Sequence, residues 1–342
     1  MNITKLLKPV GFALLSLSLF MSCTETNKKT IVCWGDSLTA PHAGSGVKGT
    51  LKRMLLGDNS YPKILQELLG DEYKIINCGV GGENTLTIAA RQGSIPMFLA
   101  HDIILFPDRQ EKFIGNEDVP AFLSSWDSTS VKPLLQCKWE EGSPARINPC
   151  TIQDIPCILK SKNAFFKLED DGFHTRWSWL IKGSEKTATY DTIKAGSIIQ
   201  TEASRTLRSP HANLFFIGQN GGFKDAADLI AQLKKMITYG KTEKYVVISF
   251  HKPNKRMPTI KRMKEMEDSL SHEFGKQYIN LRGYLVEKGL QDAGLTPTTT
   301  DRDSIRHEQV PPQLLTDGCH FTPKGYELIA KLVQEKFSEL GY

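Results

Sequence analysis

Short apolar runs alternate with segments of helical period through much of this 342-residue chain, and that alternation restricts the fold more than any other feature. Residues 30–34 (TIVCW) read as a buried strand. Residues 59–69 (NSYPKILQELL) predict a helix: Asn59 or Ser60 caps it, Pro62 sits in its first turn, and Ile64, Leu65, Leu68 and Leu69 share one face. A second strand at 73–78 (YKIINC) and a short helix at 84–92 follow. The rhythm returns with strand 212–217 (ANLFFI) and a helix over 223–239 carrying Leu229, Ile230, Leu233 and Ile237. Strand 245–250, helix 258–274, strand 277–281 and a short helix near 283–291 come next. The last helix starts at Pro323, with Tyr326, Ile329, Leu332, Val333 and Phe337 facing inward. Five short strands separated by helices predict an α/β fold with a parallel sheet covered on both faces. Ligands bind at the carboxyl ends of such strands.

Residues 94–211 break the pattern. They hold short alternating runs at 102–106, 157–160, 164–168, 175–181 and 196–201, separated by turn chemistry such as Asp171-Gly172 and Lys182-Gly183. A stretch of this length needs structure of its own, so a β-rich insertion between the second and third strands is expected. Trp177, Trp179 and Ile181 fall on one strand face, either as the insertion's own core or as a platform for sugar rings.

The first 23 residues read as a targeting segment. Lys5 and Lys8 precede an apolar stretch at 9–22 that ends at Ser22-Cys23, with polar TETNKK beyond. This resembles a bacterial lipoprotein signal, with Phe20 where such signals usually carry Leu. It implies export and membrane attachment through a lipidated Cys23. Loss of its two lysines lowers the net charge from +5 to +3, too little and too scattered for a nucleic-acid partner. Beyond Cys23 the spacing of Cys33, Cys78, Cys137, Cys150, Cys157 and Cys319 matches no metal pattern. Cys33 and Cys78 read as small buried residues, whereas a bridge among Cys137, Cys150 and Cys157 is open.

The chemistry-bearing residues stand at the strand ends. The first strand runs into Gly35-Asp36-Ser37-Leu38-Thr39, where an activated serine belongs. The second ends in Cys78-Gly79-Val80-Gly81-Gly82-Glu83, and a glycine turn can aim backbone N–H groups at a developing negative oxygen. The third ends in Gly218-Gln219-Asn220-Gly221, which offers a side-chain amide for the same task. Before the last helix stands Asp317-Gly318-Cys319-His320; the spacing lets the carboxylate accept from Nδ1 and leaves Nε2 free for a serine proton. Glu83 reads as a brace for the glycine turn or a cap for the following helix. His251-Lys252-Pro253 lies on the same rim, either touching substrate or solvated, and Cys319 is a weak rival nucleophile.

In that order the four blocks resemble those of the GDSL/SGNH hydrolase family, over residues 29–93 and 212–342. The resemblance implies a flavodoxin-like three-layer sandwich with strand order 2-1-3-4-5, formed by residues 24–93 and 212–342, and hydrolysis of carboxylic esters through an acyl-enzyme without metal or other cofactor. By resemblance Ser37 is the nucleophile, His320 general base then acid, and Asp317 its orienting partner. The Ser37 N–H, the Gly82 N–H and the Asn220 side chain then form the oxyanion hole. Two features depart from the family: Gly221 stands where an Asp is usual, and the insertion is long. The expected substrate is an O-acetyl or other short acyl ester on carbohydrate. The rivals are a lipase, lysophospholipase or thioesterase on longer acyl chains, and a non-catalytic glycan-binding lipoprotein.

Overall fold

The computed structural model describes residues 28–41, 59–132, 138–139, 146–169, 172–187 and 189–342, the side chains of 138–139, 146–147, 162–169 and 172–177 excepted. The targeting segment with Cys23, and Cys137, lie outside the described residues. No helix among the described residues is long and apolar enough to cross a membrane.

The central sheet is built from β1 (Lys29–Gly35), β2 (Tyr73–Gly79), β3 (Ala212–Phe216), β4 (Tyr245–Ile248) and β5 (Tyr278–Ile279). Every pairing is parallel and the order is β2-β1-β3-β4-β5, as the resemblance implied. Successive residues of β1 divide between two cores. Ile31 and Cys33 join one layer, with α1 (Tyr61–Leu69), α5 (Leu281–Glu287) and α6 (Pro323–Leu340). Val32 and Trp34 join the other, with α2 (Thr85–Gln92), α3 (Ala226–Gly240) and α4 (Ile260–Phe274). A strand with no solvent face has to be apolar throughout, which is why β1 and β3 read as unbroken runs. Each fully buried Leu, Ile or Val on these faces stabilises the fold by roughly 1.5–3 kcal/mol.

Capping sets the helix starts. Asn84 accepts from Thr87 N–H while Thr87 answers to the Asn84 N–H, so α2 begins at Thr85 and its cap is Asn84, not Glu83. Asp225 accepts from Asp228 N–H and starts α3 at Ala226, three residues later than the apolar spacing predicts. The expected helix near 283–291 is two pieces, α5 and a short turn at Gly289–Asp292. A further helix, Thr299–Arg306, was not anticipated; its Thr298 and Asp301 form a capping box that the apolar-period reading passes over.

Between α2 and β3 the chain forms smaller antiparallel sheets. The largest joins Ile199–Thr201, Arg146–Ile152, Ile155–Glu169, Gly172–Gly183 and Lys112–Asn116. Met97–Leu99, Phe122–Ser124 and Ser130–Val131 form another, and Ile103–Leu105 pairs with Asp191–Ile193. Trp179 and Ile181 are buried in their own core, Trp179 edge-on to Phe122 at 6.1 Å, so neither is a sugar platform; the Trp177 side chain lies outside the described residues. Cys150 and Cys157 face each other across adjacent strands as buried free thiols. Cys33 is likewise a buried free thiol, and Cys78 is buried. The insertion is tied to the parent layers by Thr201 Oγ1 donating to Arg91 O (2.6 Å) and Trp126 Nε1 donating to Asp228 Oδ1 (2.8 Å).

Candidate active site

Two glycines let the nucleophile turn fold back between the strands that flank it. A Cβ on Gly35 would lie 2.0 Å from Thr39 Oγ1 and 2.8 Å from Phe216 O. A Cβ on Gly79 would lie 2.2 Å from Ala40 N. Only glycine permits this approach. The turn is closed by Thr39 and Ala40 N–H donating to Asp36 O (3.1 and 3.0 Å), and by Leu38 N–H donating to Asp36 Oδ1 (2.9 Å). Ser37 is thereby held just past the carboxyl end of β1, half-buried.

The last block meets it from 283 residues away. Ser37 Oγ lies 2.9 Å from His320 Nε2, and His320 Nδ1 lies 2.8 Å from Asp317 Oδ2. Asp317 Oδ1 accepts from the backbone N–H groups of Cys319 (3.1 Å) and His320 (2.8 Å), so the carboxylate organises the turn and orients the ring together. Gly318, at φ +76°, supplies the reversal. Burial pushes the Asp317 carboxyl up, but the His320 N–H, ring and charge and the Cys319 N–H outweigh it and hold the group at about 2. An ionised carboxylate makes Nδ1 the protonated ring nitrogen and leaves Nε2 to accept the Ser37 proton.

Asn220 joins the other two blocks. Its Nδ2 donates to Glu83 O (3.0 Å), one residue past Gly82, and reaches Asp36 Oδ2 at 3.4 Å, one residue before Ser37. Gly82, at φ +86°, turns the backbone there, and a Cβ on Gly81 would lie 3.7 Å from Ser37 Cβ. Among the described residues, the N–H groups of Ser37 and Gly82 donate to no protein acceptor. His320, backed by Asp317, thus meets the Ser37 hydroxyl, and Asn220 bonds to the neighbours of Ser37 and Gly82.

Other expectations are changed. Glu83 is fully buried and bonded to Arg91, with Oε2 3.0 Å from both Nε and Nη2 of the guanidinium. Arg91 also donates to Cys78 O (2.7 Å), so it staples the glycine turn to α2. His251 is buried against Phe321 (4.4 Å between rings), so it is not the solvated rim residue that the sequence allowed. Burial holds it neutral, down at about 3, with the Cys319 backbone opposing and the Lys252 charge adding. Lys252 beside it is exposed on the rim. Burial pushes the Cys319 thiol up to about 11, which keeps it protonated and un-nucleophilic.

Asp36 is a residue that sequence reasoning named only as part of its block; its signal was a carboxylate one glycine past four apolar positions. Burial pushes it up from 3.8 to about 7, with the Leu38 N–H opposing and the Glu83 charge adding. The folded chain therefore favours the protonated form. Its contribution to stability is complete below pH 3.8 and is lost as pH rises through about 7. Asp36→Asn cannot titrate in this window. The stability of the variant relative to wild type should be higher at pH 8 than at pH 5 by urea unfolding; an identical difference at both would contradict this. The same change sets an amide against Asn220 Nδ2, so turnover should fall even where stability rises.

No family model matches the chain, and no curated protein matches it. Among solved structures it is similar to a lipase/acylhydrolase from Enterococcus faecalis, at 13% identity over 90% of this chain and 95% of that one, with a TM-score of 0.40. It is also similar to a carbohydrate acetylesterase family member from Sinorhizobium meliloti, at 12% identity over 91% and 99%, with a TM-score of 0.35. The sheet order agrees with what the resemblance to the GDSL/SGNH hydrolases implies.

Proposed function

We propose that the chain is a serine esterase that removes short acyl groups from a polar alcohol. The observation that carries this reading is the line Ser37 Oγ, His320 Nε2, His320 Nδ1, Asp317 Oδ2, with steps of 2.9 and 2.8 Å. The hydroxyl attacks an ester carbonyl as Nε2 takes its proton. The negative oxygen of the tetrahedral intermediate is met by the N–H groups of Ser37 and Gly82 and by Asn220, whose amide leaves its long contact with Asp36 to do so. Collapse expels the alcohol, which receives the proton held on Nε2. Water then repeats the sequence on the acyl-enzyme and frees Ser37 with a carboxylic acid.

The choice of a short acyl group and a polar alcohol rests on the cleft beside these residues. It has a volume of about 940 Å³, and its lining mixes hydrogen-bonding side chains with three glycines and with Leu86, Phe223, Pro253 and Cys319. Leu86 and Phe223 are its two large apolar side chains, too few to line a trough for a long acyl chain, which disfavours the lipase reading. An O-acetylated carbohydrate is the substrate class we favour within this range, and the hydrogen-bonding side chains of the lining suit it.

Two measurements test the proposal. A fluorophosphonate probe should label the wild-type protein at Ser37 and leave Ser37→Ala unlabelled. On 4-nitrophenyl esters, kcat/KM should be at least about tenfold higher for acetate than for octanoate, one tenfold step being about 1.4 kcal/mol of transition-state preference. Absence of labelling would favour a binding protein, and an octanoate preference would favour a lipase.

A further inference from the structure

The cleft is charged as well as polar. Lys224, Lys252, Lys255 and Arg256 line it, against the carboxylates of Asp127 and Asp228. Both carboxylates are already engaged by the fold. Asp228 accepts from Trp126 Nε1 (2.8 Å), Lys224 N–H (2.8 Å) and Gln232 Nε2 (3.3 Å), and Asp127 from the Thr129 N–H (3.1 Å) and hydroxyl (2.7 Å). Elsewhere surface lysines find carboxylates, as in Lys29–Glu72, Lys264–Glu308 and Lys331–Glu327. Among the described residues, none of the four cations of the cleft does so.

The backbone that carries Lys252, Lys255 and Arg256 is also held in place. Asn254 Nδ2 donates to Gly218 O (3.0 Å) and Gln219 O (3.2 Å), while its Oδ1 accepts from the N–H groups of Arg256 (2.8 Å) and Met257 (2.9 Å). Gln219 Nε2 donates to Lys252 O (3.0 Å), and the Met257 side chain is buried. The loop after β4 is thus tied at Lys252 and Asn254 to the block that carries Asn220. A Cβ on Gly221 would lie 3.6 Å from Arg256 Cγ, and one on Gly318, in the relay turn, 3.8 Å from Lys252 Nζ. Gly221 is the position where the resembling block usually has an Asp, so here no carboxylate stands against Arg256. Positive charge therefore flanks both the oxyanion donors and the turn that holds His320. The departing alcohol must sit within reach of His320 to take its proton.

We infer that the cleft selects esters whose alcohol part carries a negative oxyanion group, a carboxylate or a phosphate, close to the scissile oxygen. The inference rests on the serine-esterase reading and adds the chemical class of the alcohol to it. Positive charge fixed at the mouth of a cleft raises the local concentration of an anionic ester and favours its seating over that of a neutral one.

The test pairs 4-acetoxybenzoate, an anion, with its neutral methyl ester. The ratio of kcat/KM, anionic over neutral, should fall about tenfold in Lys252→Gln/Lys255→Gln/Arg256→Gln, the size that a few screened charge contacts supply. In the wild type the same ratio should shrink in 0.5 M NaCl. A ratio that neither the substitutions nor salt moves overturns the inference and leaves the esterase reading standing. Should the wild type hydrolyse neither ester, the esterase reading fails, and the cleft is judged by binding alone. Ser37→Ala protein is then titrated with glucuronate, glucose 6-phosphate and glucose by ligand-observed NMR. Binding of either anion but not of glucose, lost in the triple variant, supports an anionic ligand, and the tighter of the two identifies its charged group. Equal behaviour of all three sugars overturns it.

Discussion

Replacing His320 with alanine is expected to lower kcat for a short acyl ester by about 10⁴-fold or more while the thermal midpoint moves by only a few degrees. The size follows from what the ring does. Nε2 lies 2.9 Å from Ser37 Oγ and is the only base in hydrogen-bonding contact with it among the described residues. Without it the hydroxyl keeps its proton at neutral pH, and no group protonates the departing alcohol. Stability should be nearly unchanged because the turn is held by the backbone. Asp317 still accepts from the N–H groups of residues 319 and 320, and Thr316 N–H still donates to the carbonyl of residue 320 (2.7 Å). Groups that act as one unit are not additive, so Ser37→Ala with His320→Ala should be no slower than Ser37→Ala alone. Steady-state kinetics on the three variants checks this. Losses that multiply would mean that the two side chains act separately.

Arg91→Met should produce the largest loss of stability near the site, about 3–5 kcal/mol by urea unfolding. Glu83 and Arg91 are buried together, and the substitution deprives the carboxylate of its cation inside the protein. It also removes the donor to Cys78 O and the guanidinium that lies 5.4 Å from the centre of the Trp34 ring. Much of the loss belongs to a charge stranded in an apolar setting rather than to the pair's attraction. Glu83→Gln with Arg91→Met should therefore recover a substantial part of it. A double variant no more stable than the single would show that the pair's geometry, not its charge, carries the effect. Turnover should fall further than stability alone predicts, because Glu83 O is the acceptor that holds Asn220.

The parent half of the fold was legible for a physical reason. Strands buried on both faces must be apolar throughout, and helices that cover them must repeat every three to four residues. Both patterns survive in β1, β3 and α6 with little interruption. The hydrogen-bonded line of Ser37, His320 and Asp317 was legible because Asp317 and His320 share one turn and because Ser37 follows a strand. The insertion was harder. Strands as short as Ser130–Val131 and Phe122–Ser124 carry too few residues to establish a period. Glu83 was read as a brace for the glycine turn or a cap, but its partner was hidden because Arg91 stands at the far end of α2. Nor could local sequence indicate that Asn254 would clasp Gly218, since that contact exists only once β3 and β4 lie side by side.

The tie between Trp126 and Asp228 has a consequence for how such a protein can change over time. One rim of the cleft, made by Asp127, Thr129 and Ser130, comes from the inserted sheets, whereas the nucleophile, its base and the donors all come from the parent layers. Substitutions in the rim can alter which molecule is admitted and leave the machinery that cuts it untouched. One part of admission is thus inherited on a stretch of chain apart from bond breaking, and selection can revise that part at little risk to the chemistry.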